Sequence, residues 1–268
     1  MKSKYLWYTD THLDKIFPWS KFKLISHIMK ENPNGVFLSG DISNGFRLKS
    51  DLISLAKNIK CPIYFVLGNH DYHFSSMEIT HSNIKEITKK YSNLIWLTES
   101  DIIPLSNISA LIGIEGWYDA MMGDPKYLRY TVDWFMIKDF RILKSMKDRI
   151  EYFRYLANKS ALDISLKLQQ ALDQKYKTIY LLTHFPPWKE ATRDIGTFMS
   201  EFWLPYNTNI TLGKVLKKIM KKRNKRHLMV LSGHTHTDRW IFVKRNIECK
   251  VNKAKYYGNF RNEEIIFV

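Results

Sequence analysis

Residues 63–71 have the sequence IYFVLGNHD, in which five apolar residues are followed by a glycine and three polar side chains. An uninterrupted apolar run of this length is typical of a strand buried on both faces, as in a parallel sheet. The polar turn after it would lie at the carboxyl end of the strand, where open α/β sheets bind their ligands. The stretch therefore predicts an α/β fold with a polar site at one edge of a sheet.

The same succession of apolar run and polar turn occurs four more times, after residues 5–8, 36–38, 179–182 and 228–231. Because the carboxyl ends of parallel strands meet at one edge of a sheet, the polar side chains of all five turns are expected to converge. The nine candidate site residues that these turns supply are Asp10, His12, Asp41, Asn69, His70, Asp71, His184, His234 and His236.

Helical patterns separate most of these runs, and the clearest is an apolar stripe at positions 212, 215, 216, 219 and 220. Strands that alternate with helices indicate an α/β architecture. Three apolar runs after residue 239 have no helical pattern between them, which predicts a second, partly antiparallel sheet. Residues 119–177 contain no strand-like run, and we expect a helical insertion there, bordering the site, within a single domain that spans residues 1–268. Apolar positions 142–153 predict one helix of this insertion, and residues 162–176 predict a later one.

The composition is close to that of soluble globular proteins, with 45% hydrophobic and 25% charged residues, and excludes a disordered or collagen-like chain. No apolar run approaches the ~18 residues of a membrane-spanning helix. Asp10 interrupts the region in which a signal peptide would need an apolar core. Cys61 and Cys249 form no motif, which fits a reducing compartment, so a cytoplasmic location is expected.

The chain carries 42 Lys and Arg against 26 Asp and Glu, a net charge of +16. Such a surplus favours anionic partners, namely phosphorylated substrates, nucleic acid or an acidic membrane, although compositional drift would also produce it. Eight Lys or Arg lie between residues 214 and 226. The apolar stripe already explains why this segment folds, so we expect a solvated helix face and keep nucleic-acid binding as the alternative.

Taken singly, each candidate site residue has a structural explanation, such as a helix cap, a turn or a core histidine. Carboxylates and imidazoles crowded at one buried edge would instead cost several kcal/mol unless something compensates their charges, and a pair of metal cations would do so. The donors are nitrogen and oxygen without thiolate, which suits Mn, Fe, Zn or Co. In extended chain, the two side chains of the Asp10-x-His12 pair leave the strand end on the same side, and glycines at 40, 68 and 233 would let the backbone turn sharply.

These turns resemble the five sequence blocks of the calcineurin-like metallophosphoesterase superfamily. The matching blocks are Asp10-x-His12, Gly40-Asp41, Gly68-Asn69-His70-Asp71, His184 and Gly233-His234-x-His236. The resemblance implies a four-layer αββα sandwich of two mixed sheets, with two divalent ions, Mn favoured over Fe or Zn, between the sheet edges. It implies one ligand set of Asp10, His12, Asp41 and His236 and a second of Asp41, Asn69, His184 and His234. His70 would lie beside the substrate phosphate, oriented by Asp71.

The chemistry that this resemblance implies is hydrolysis of a phosphomonoester or phosphodiester by a hydroxide that bridges the metals. The Asp-Arg-Gly sequence of the phosphoprotein phosphatases is absent after Gly40-Asp41, which favours a small phosphorylated substrate. A metal-dependent nuclease would share the same blocks and is kept as an alternative. A non-catalytic scaffold on the same fold is a third hypothesis, disfavoured because no ligand position is lost.

Substrate contacts are expected from residues next to the blocks. His73 lies three residues past His70, and Trp117 and Tyr118 follow the strand-like run 110–114. An exposed aromatic ring at such a place could stack a base or another planar group. The alternative is that these aromatic residues pack in the core.

Overall fold

Two β-sheets stacked face to face form the centre of the computed structural model, which describes residues 2–192, 198–254 and 263–268. Within these ranges the strands are β1 (Lys4–Tyr8), β2 (Gly35–Ser39), β3 (Ile63–Val66), β4 (Leu94–Trp96), β5 (Ile103–Pro104), β6 (Ser109–Ile114), β7 (Thr178–Thr183), β8 (His227–Ser232), β9 (Arg239–Lys244), β10 (Ile247–Val251) and β11 (Glu264–Phe267). All five strands predicted before the polar turns are therefore confirmed.

Helices cover the outer faces of both sheets. They are α1 (Pro18–Glu31), α2 (Leu48–Asn58), α3 (Met77–Lys90), α4 (Asp133–Met136), α5 (Lys138–Arg141), α6 (Met146–Asp173), α7 (Phe198–Trp203) and α8 (Ile210–Met220). None of the helices in the described ranges has a stretch both long and apolar enough to cross a membrane.

The first sheet has the strand order β11-β1-β2-β3-β4, and the second has the order β5-β6-β7-β8-β10-β9. The central strands are parallel, and antiparallel strands lie at the edges. The predicted second, partly antiparallel sheet is confirmed, but it begins at β5 and contains two of the three late strands. The strand β11 pairs antiparallel with β1, while β9 and β10 extend the second sheet. The first sheet thus joins strands from the two ends of the chain.

The alternation of side chains along β1 shows the layering. Tyr5 and Trp7 point into the cluster between the two sheets, whereas Leu6 and Tyr8 point to the cluster beneath the helices of the first sheet. A third cluster lies between the second sheet and the helices α6 and α8. Since strand neighbours alternate between faces, one strand serves two apolar layers. The four-layer αββα sandwich is confirmed.

The segment 119–177 is built mainly of helices, but their boundaries differ from the sequence pattern. The pattern indicated one helix around 142–153 and another over 162–176, whereas α6 is a single helix of 28 residues. Ser145 caps it, with Asp148 completing a capping box, and no glycine or proline interrupts it. Its buried stripe of Ala161, Ile164 and Leu168 packs towards the second sheet.

Candidate metal centre

The polar turns converge at the carboxyl ends of β1, β2, β3, β7 and β8. Donor atoms that lie within 4.8 Å of one another form three overlapping groups: Asp10, His12 and His236; His12, Asp41 and His70; and Asp41, His184 and His234. Asn69 adjoins the last group, since its Oδ1 lies 3.2 Å from Nε2 of His184. The structure therefore brings together all seven residues predicted as metal ligands, and His70 beside them.

The backbone at these positions is left-handed rather than extended. Positive φ angles of 40–67° occur at five candidate ligands, namely Asp10, His12, Asp41, His234 and His236. The prediction that Asp10 and His12 continue an extended chain is therefore wrong. Backbone hydrogen bonds from their N–H groups to Gly40 (3.0 Å) and Asp41 (3.0 Å) hold the two residues in this conformation. Such conformations are costly for residues with a side chain and concentrate at functional sites.

The glycines before the ligands serve two different needs. Gly40 has a φ of 91°, so its flexibility permits the predicted turn. A side chain at Gly68 would collide with the carboxylate of Asp41, and one at Gly233 would collide with Thr9 and Asp10. At these two positions glycine is needed for close approach of the backbone to a carboxylate.

Asp41 lies at the centre of the cluster. Its Oδ1 is 3.3 Å from Nε2 of His184, and its Oδ2 is 3.9 Å from Nε2 of both His12 and His70. The backbone N–H of His70 also donates to Oδ1 at 2.8 Å. Burial opposes ionisation of Asp41, but the neighbouring imidazoles, above all His184, hold the pKa of this carboxyl well below its usual value.

Two imidazoles are fixed by hydrogen bonds directed away from the centre. Nδ1 of His184 donates to the carbonyl of Ser39 at 2.8 Å, and Nε2 of His234 donates to the carbonyl of Tyr206 at 2.9 Å. The two rings are thereby oriented by one nitrogen each, as in histidines that bind metals. Nε2 of His184 faces Asp41, and although burial disfavours the charged ring, this carboxylate raises the pKa of His184 to about 9. Burial lowers the pKa of His234 to about 4, which keeps this ring neutral.

Asp10 holds the opposite side of the cluster. The Thr9 hydroxyl donates to it at 2.6 Å, the backbone N–H of His234 donates at 3.1 Å, and Nε2 of His236 lies 3.2 Å away. Burial opposes its ionisation, but His236 outweighs this and lowers the pKa of Asp10 to about 2. Burial lowers the pKa of His12 to about 3, so His12 is a neutral imidazole beside an ionised carboxylate.

The donor chemistry of the cluster fits divalent cations. Asp10 and Asp41 are both buried and ionised, which is costly without a positive charge close by. Imidazoles and an amide oxygen complete a set of nitrogen and oxygen donors suited to Mn, Fe or Zn. The described residues therefore form candidate metal-binding groups.

Asp71 contacts the backbone, not the ring of His70. Its carboxylate oxygens accept hydrogen bonds from the N–H groups of Ser43 (2.9 Å) and Gly68 (2.8 Å). The predicted role of Asp71 in orienting His70 is therefore corrected, because both oxygens are engaged by the loops that carry Asp41 and Asn69. Asp71 joins these two loops.

The three residues predicted to contact substrate are buried. Trp117 is 4% exposed and packs between the rings of Phe185 and Phe140, and Tyr118 is fully buried. Neither presents a ring face to a ligand, so the prediction that they stack substrate is wrong and the core alternative holds. His73 is also buried, and the centroid of its ring lies 4.3 Å from that of the His70 ring.

Asp133 is a buried residue of the helical segment that the sequence pattern did not single out. Its Oδ1 accepts hydrogen bonds from the amide of Asn69 at 2.9 Å and from His73 at 2.8 Å. Its Oδ2 accepts one from the hydroxyl of Tyr118 at 3.1 Å. Asp133 thus fixes the Asn69 amide so that Oδ1 faces the centre, although it lies 64 positions along the chain from that residue.

Lys15 is a second residue that sequence reasoning missed. Its Nζ lies 3.5 Å from Nδ1 of His70. An ammonium group has only donors, so Nδ1 is the acceptor and the proton of a neutral His70 ring lies on Nε2, the nitrogen nearer Asp41. No motif marks a single loop lysine, and only the fold places it beside the cluster.

The basic run at 214–226 begins in α8 and continues past its end. Its Lys and Arg side chains are exposed or half-buried, and Lys217 lies over the ring of Trp188 at 5.8 Å. The apolar stripe of α8, including Leu212 and Leu216, is buried against the second sheet. This is the arrangement expected of a solvated helix face.

A family model described as calcineurin-like phosphoesterase matches residues 3–238. No curated protein is significantly similar to the chain in sequence. All seven predicted metal ligands, together with His70 and Asp71, lie within the matched range.

Several solved structures are similar in fold. Phosphopantetheinyl hydrolase from Mycobacterium tuberculosis superposes with a TM-score of 0.67 at 13% identity, over 93% of this chain and 88% of that chain. A dimetal phosphatase from Danio rerio superposes with a TM-score of 0.58 at 11% identity, over 94% of this chain and 87% of that chain. The protein TT1561 of Thermus thermophilus superposes with a TM-score of 0.55 at 10% identity, over 94% of this chain and 90% of that chain. At such identities these similarities establish the architecture alone.

Proposed function

The chain belongs to the calcineurin-like phosphoesterase family, and we propose that it is a dinuclear-metal-dependent hydrolase of a phosphomonoester or phosphodiester on a small molecule. The observation that carries the proposal is the position of Asp41. One of its oxygens faces His184 and the other faces His12, so a single carboxylate belongs to both ends of the donor cluster.

We assign the donors to two cation sites that share Asp41. The first would be held by Asp10, His12, Asp41 and His236, and the second by Asp41, Asn69, His184 and His234. We favour Mn because the set combines carboxylate, amide and imidazole donors without thiolate, with Fe or Zn as the other candidates. When bound, such cations supply Lewis-acid stabilisation of a phosphoryl group and lower the pKa of water.

The residues of the chain itself supply positioning and proton transfer. With Lys15 donating to Nδ1, the neutral His70 ring would donate a hydrogen bond from Nε2–H to a phosphoryl oxygen. Proton transfer to the leaving oxygen would instead start from the imidazolium, in which Nδ1 carries a proton and does not accept from Lys15, and would leave a neutral ring. Burial lowers the pKa of His70, which makes its protonated form a stronger acid. Lys15 would add positive charge on the side of the cluster where His70 lies.

A nuclease is the second candidate. The exposed cations at 214–226 and the net charge of +16 favour it, because a nucleic-acid backbone is polyanionic. A small phosphorylated substrate remains our first choice, since the apolar stripe of α8 already accounts for the basic run as a solvated helix face. Cys61 and Cys249 are both free thiols, which supports a cytoplasmic location as part of the proposal.

Removal and return of metal tests the proposal. Protein stripped with a chelator and reloaded with Mn, Fe or Zn would be assayed on p-nitrophenyl mono- and diesters, nucleotides and DNA. We expect activity to vanish on stripping and to return with metal. Asp41→Asn should lower kcat by more than the ~10²–10³-fold that is typical of losing one charge-stabilising donor, because Asp41 serves both sites.

Full esterase activity in the stripped protein would contradict the proposal. The matched control is Asp163→Asn, a half-buried carboxylate on α6 that pairs with Lys159 and belongs to none of the donor groups. This variant should retain both the metal content and the activity of the wild type.

A further inference from the structure

Six aromatic side chains protrude into solvent from the loops and helix starts around the candidate metal centre. We name this set the aromatic rim; it consists of Phe17, Trp19, Phe22, Phe46, Phe74 and Phe135. Each retains between 57% and 84% of its accessible surface. Single exposed apolar residues are ordinary, but six on neighbouring segments need an explanation.

The segments that carry the rim are joined to one another by hydrogen bonds. Three of these segments follow β1, β2 and β3 at the end of the first sheet where the metal centre lies, and the fourth contains α4 and α5. The links are Asn44 Nδ2 to Asp14 Oδ2 (3.1 Å), the N–H of Gly45 to the carbonyl of His73 (3.0 Å), and the N–H of Phe74 to the carbonyl of Met136 (2.8 Å). Phe17 and Trp19 stack with ring centroids 4.3 Å apart. The rim therefore borders the centre on one side.

The exposed charges on these segments are all positive. Within residues 13–23, 43–51, 72–77 and 131–141, which the structure describes throughout, the exposed charged residues are Lys23, Arg47, Lys138 and Arg141. The carboxylates of the same segments are buried or half-buried and accept hydrogen bonds; they are Asp14, Asp51, Asp133 and Asp139. A partner of this surface therefore meets aromatic rings and cations.

We propose that the aromatic rim docks the protein onto the surface of an anionic phospholipid bilayer. Phe and Trp combined with Lys and Arg are the composition by which proteins lie in the headgroup region of acidic membranes. The side chains project from four separate segments, which suits insertion between lipids better than packing in a flat protein interface. The net charge of +16 adds long-range attraction to an anionic surface. This inference goes beyond the proposed esterase activity and does not depend on it.

Sedimentation with vesicles tests the proposal. The wild type would be mixed with vesicles of phosphatidylcholine containing roughly one third phosphatidylglycerol, and with pure phosphatidylcholine vesicles. We expect binding to the anionic vesicles that weakens as salt rises. Trp19→Ser combined with Phe46→Ser should lower the partition coefficient about tenfold or more, because two inserted rings are lost.

The matched control is Trp240→Ser combined with Phe242→Ser. These two rings are 55% and 69% exposed and lie on β9, at the edge of the other sheet. The control should bind vesicles like the wild type. Asp41→Asn should also bind unchanged, so that failure of the esterase proposal and failure of the membrane proposal are distinguishable.

A conservative variant provides an independent measurement. Lipids brominated on their acyl chains should quench part of the wild-type tryptophan fluorescence, and Trp19→Phe should remove that part. Equal binding by the rim and control variants, loss of binding in the control alone, or no anionic preference would overturn the proposal. So would tight binding of DNA together with no binding to vesicles.

Discussion

The two halves of the candidate metal centre are held by different parts of the molecule. Around Asp10, the supporting groups belong to the sequence blocks themselves, namely the Thr9 hydroxyl and the backbone N–H of His234. Around Asn69, the supporting group is Asp133, which belongs to the helical segment and lies far along the chain. One half is therefore supported by the sequence blocks that also supply its ligands, and the other depends on how the helical segment packs.

This difference predicts which of the two metal sites a given substitution should weaken. A change in the helical segment should weaken the Asn69 half and leave the Asp10 half intact, because Asp133 contacts only the former among the described residues. A change at His70, whose ring lies 4.7 Å from that of His12, should affect catalysis while both halves keep their metal.

The largest effect is expected from His70→Ala. General acid catalysis is typically worth ~10²–10⁴-fold, so the loss in kcat on an alkyl phosphoester should fall in that range. A p-nitrophenolate leaves without a proton, and the loss on its ester should be clearly smaller. Steady-state kinetics on both esters, with the metal content measured in parallel, checks this.

Equal losses on the two esters would assign His70 to charge stabilisation instead. Loss of metal in the variant would contradict the placement of His70 outside the ligand sets. His27→Ala, which changes a half-buried histidine on α1 paired with Glu263, is the control and should keep full activity.

A smaller effect is expected from Asp133→Ala. Removing a group that orients a metal ligand typically costs ~10–100-fold in metal affinity, and here the loss should appear at one of two sites. Asp133→Asn should restore most of the affinity, because its amide oxygen can still accept from Asn69 and His73. Calorimetric titration with Mn would separate the two binding steps.

Asp139→Ala is the matched control for this comparison. Asp139 lies in the same helical segment but accepts a hydrogen bond from the backbone N–H of Met77. Its loss should lower thermal stability without changing either Mn affinity. Weakening of both sites in Asp133→Ala would contradict the division of the centre into two halves.

The strands before the polar turns were predictable because each is a buried run whose pattern is local. The antiparallel pairing of β11 with β1 was not, because it joins residues from opposite ends of the chain. The helix α6 was predicted as two helices because its apolar stripe is irregular, with Leu162 exposed and Ala157 buried.

The ligand cluster was predictable for the same reason as the strands, since each donor follows a strand directly. The roles of three further residues could not be predicted from the sequence. Asp71 lies beside His70 in sequence yet its carboxylate turns towards backbone N–H groups. Lys15 and Asp133 reach the cluster only through the path of a loop and the packing of a helix. Such contacts are set by tertiary structure and leave no spacing in the sequence.

The central claim is that one carboxylate, Asp41, joins two cation sites with different supports. Anomalous X-ray diffraction from a crystal of the Mn-loaded protein, recorded at the Mn absorption edge, tests it directly. The account predicts two anomalous peaks, with Asp41 bound to both, Asp10 and His236 at one, and Asn69 and His184 at the other. A single peak, or two peaks of which only one is bound by Asp41, would contradict it.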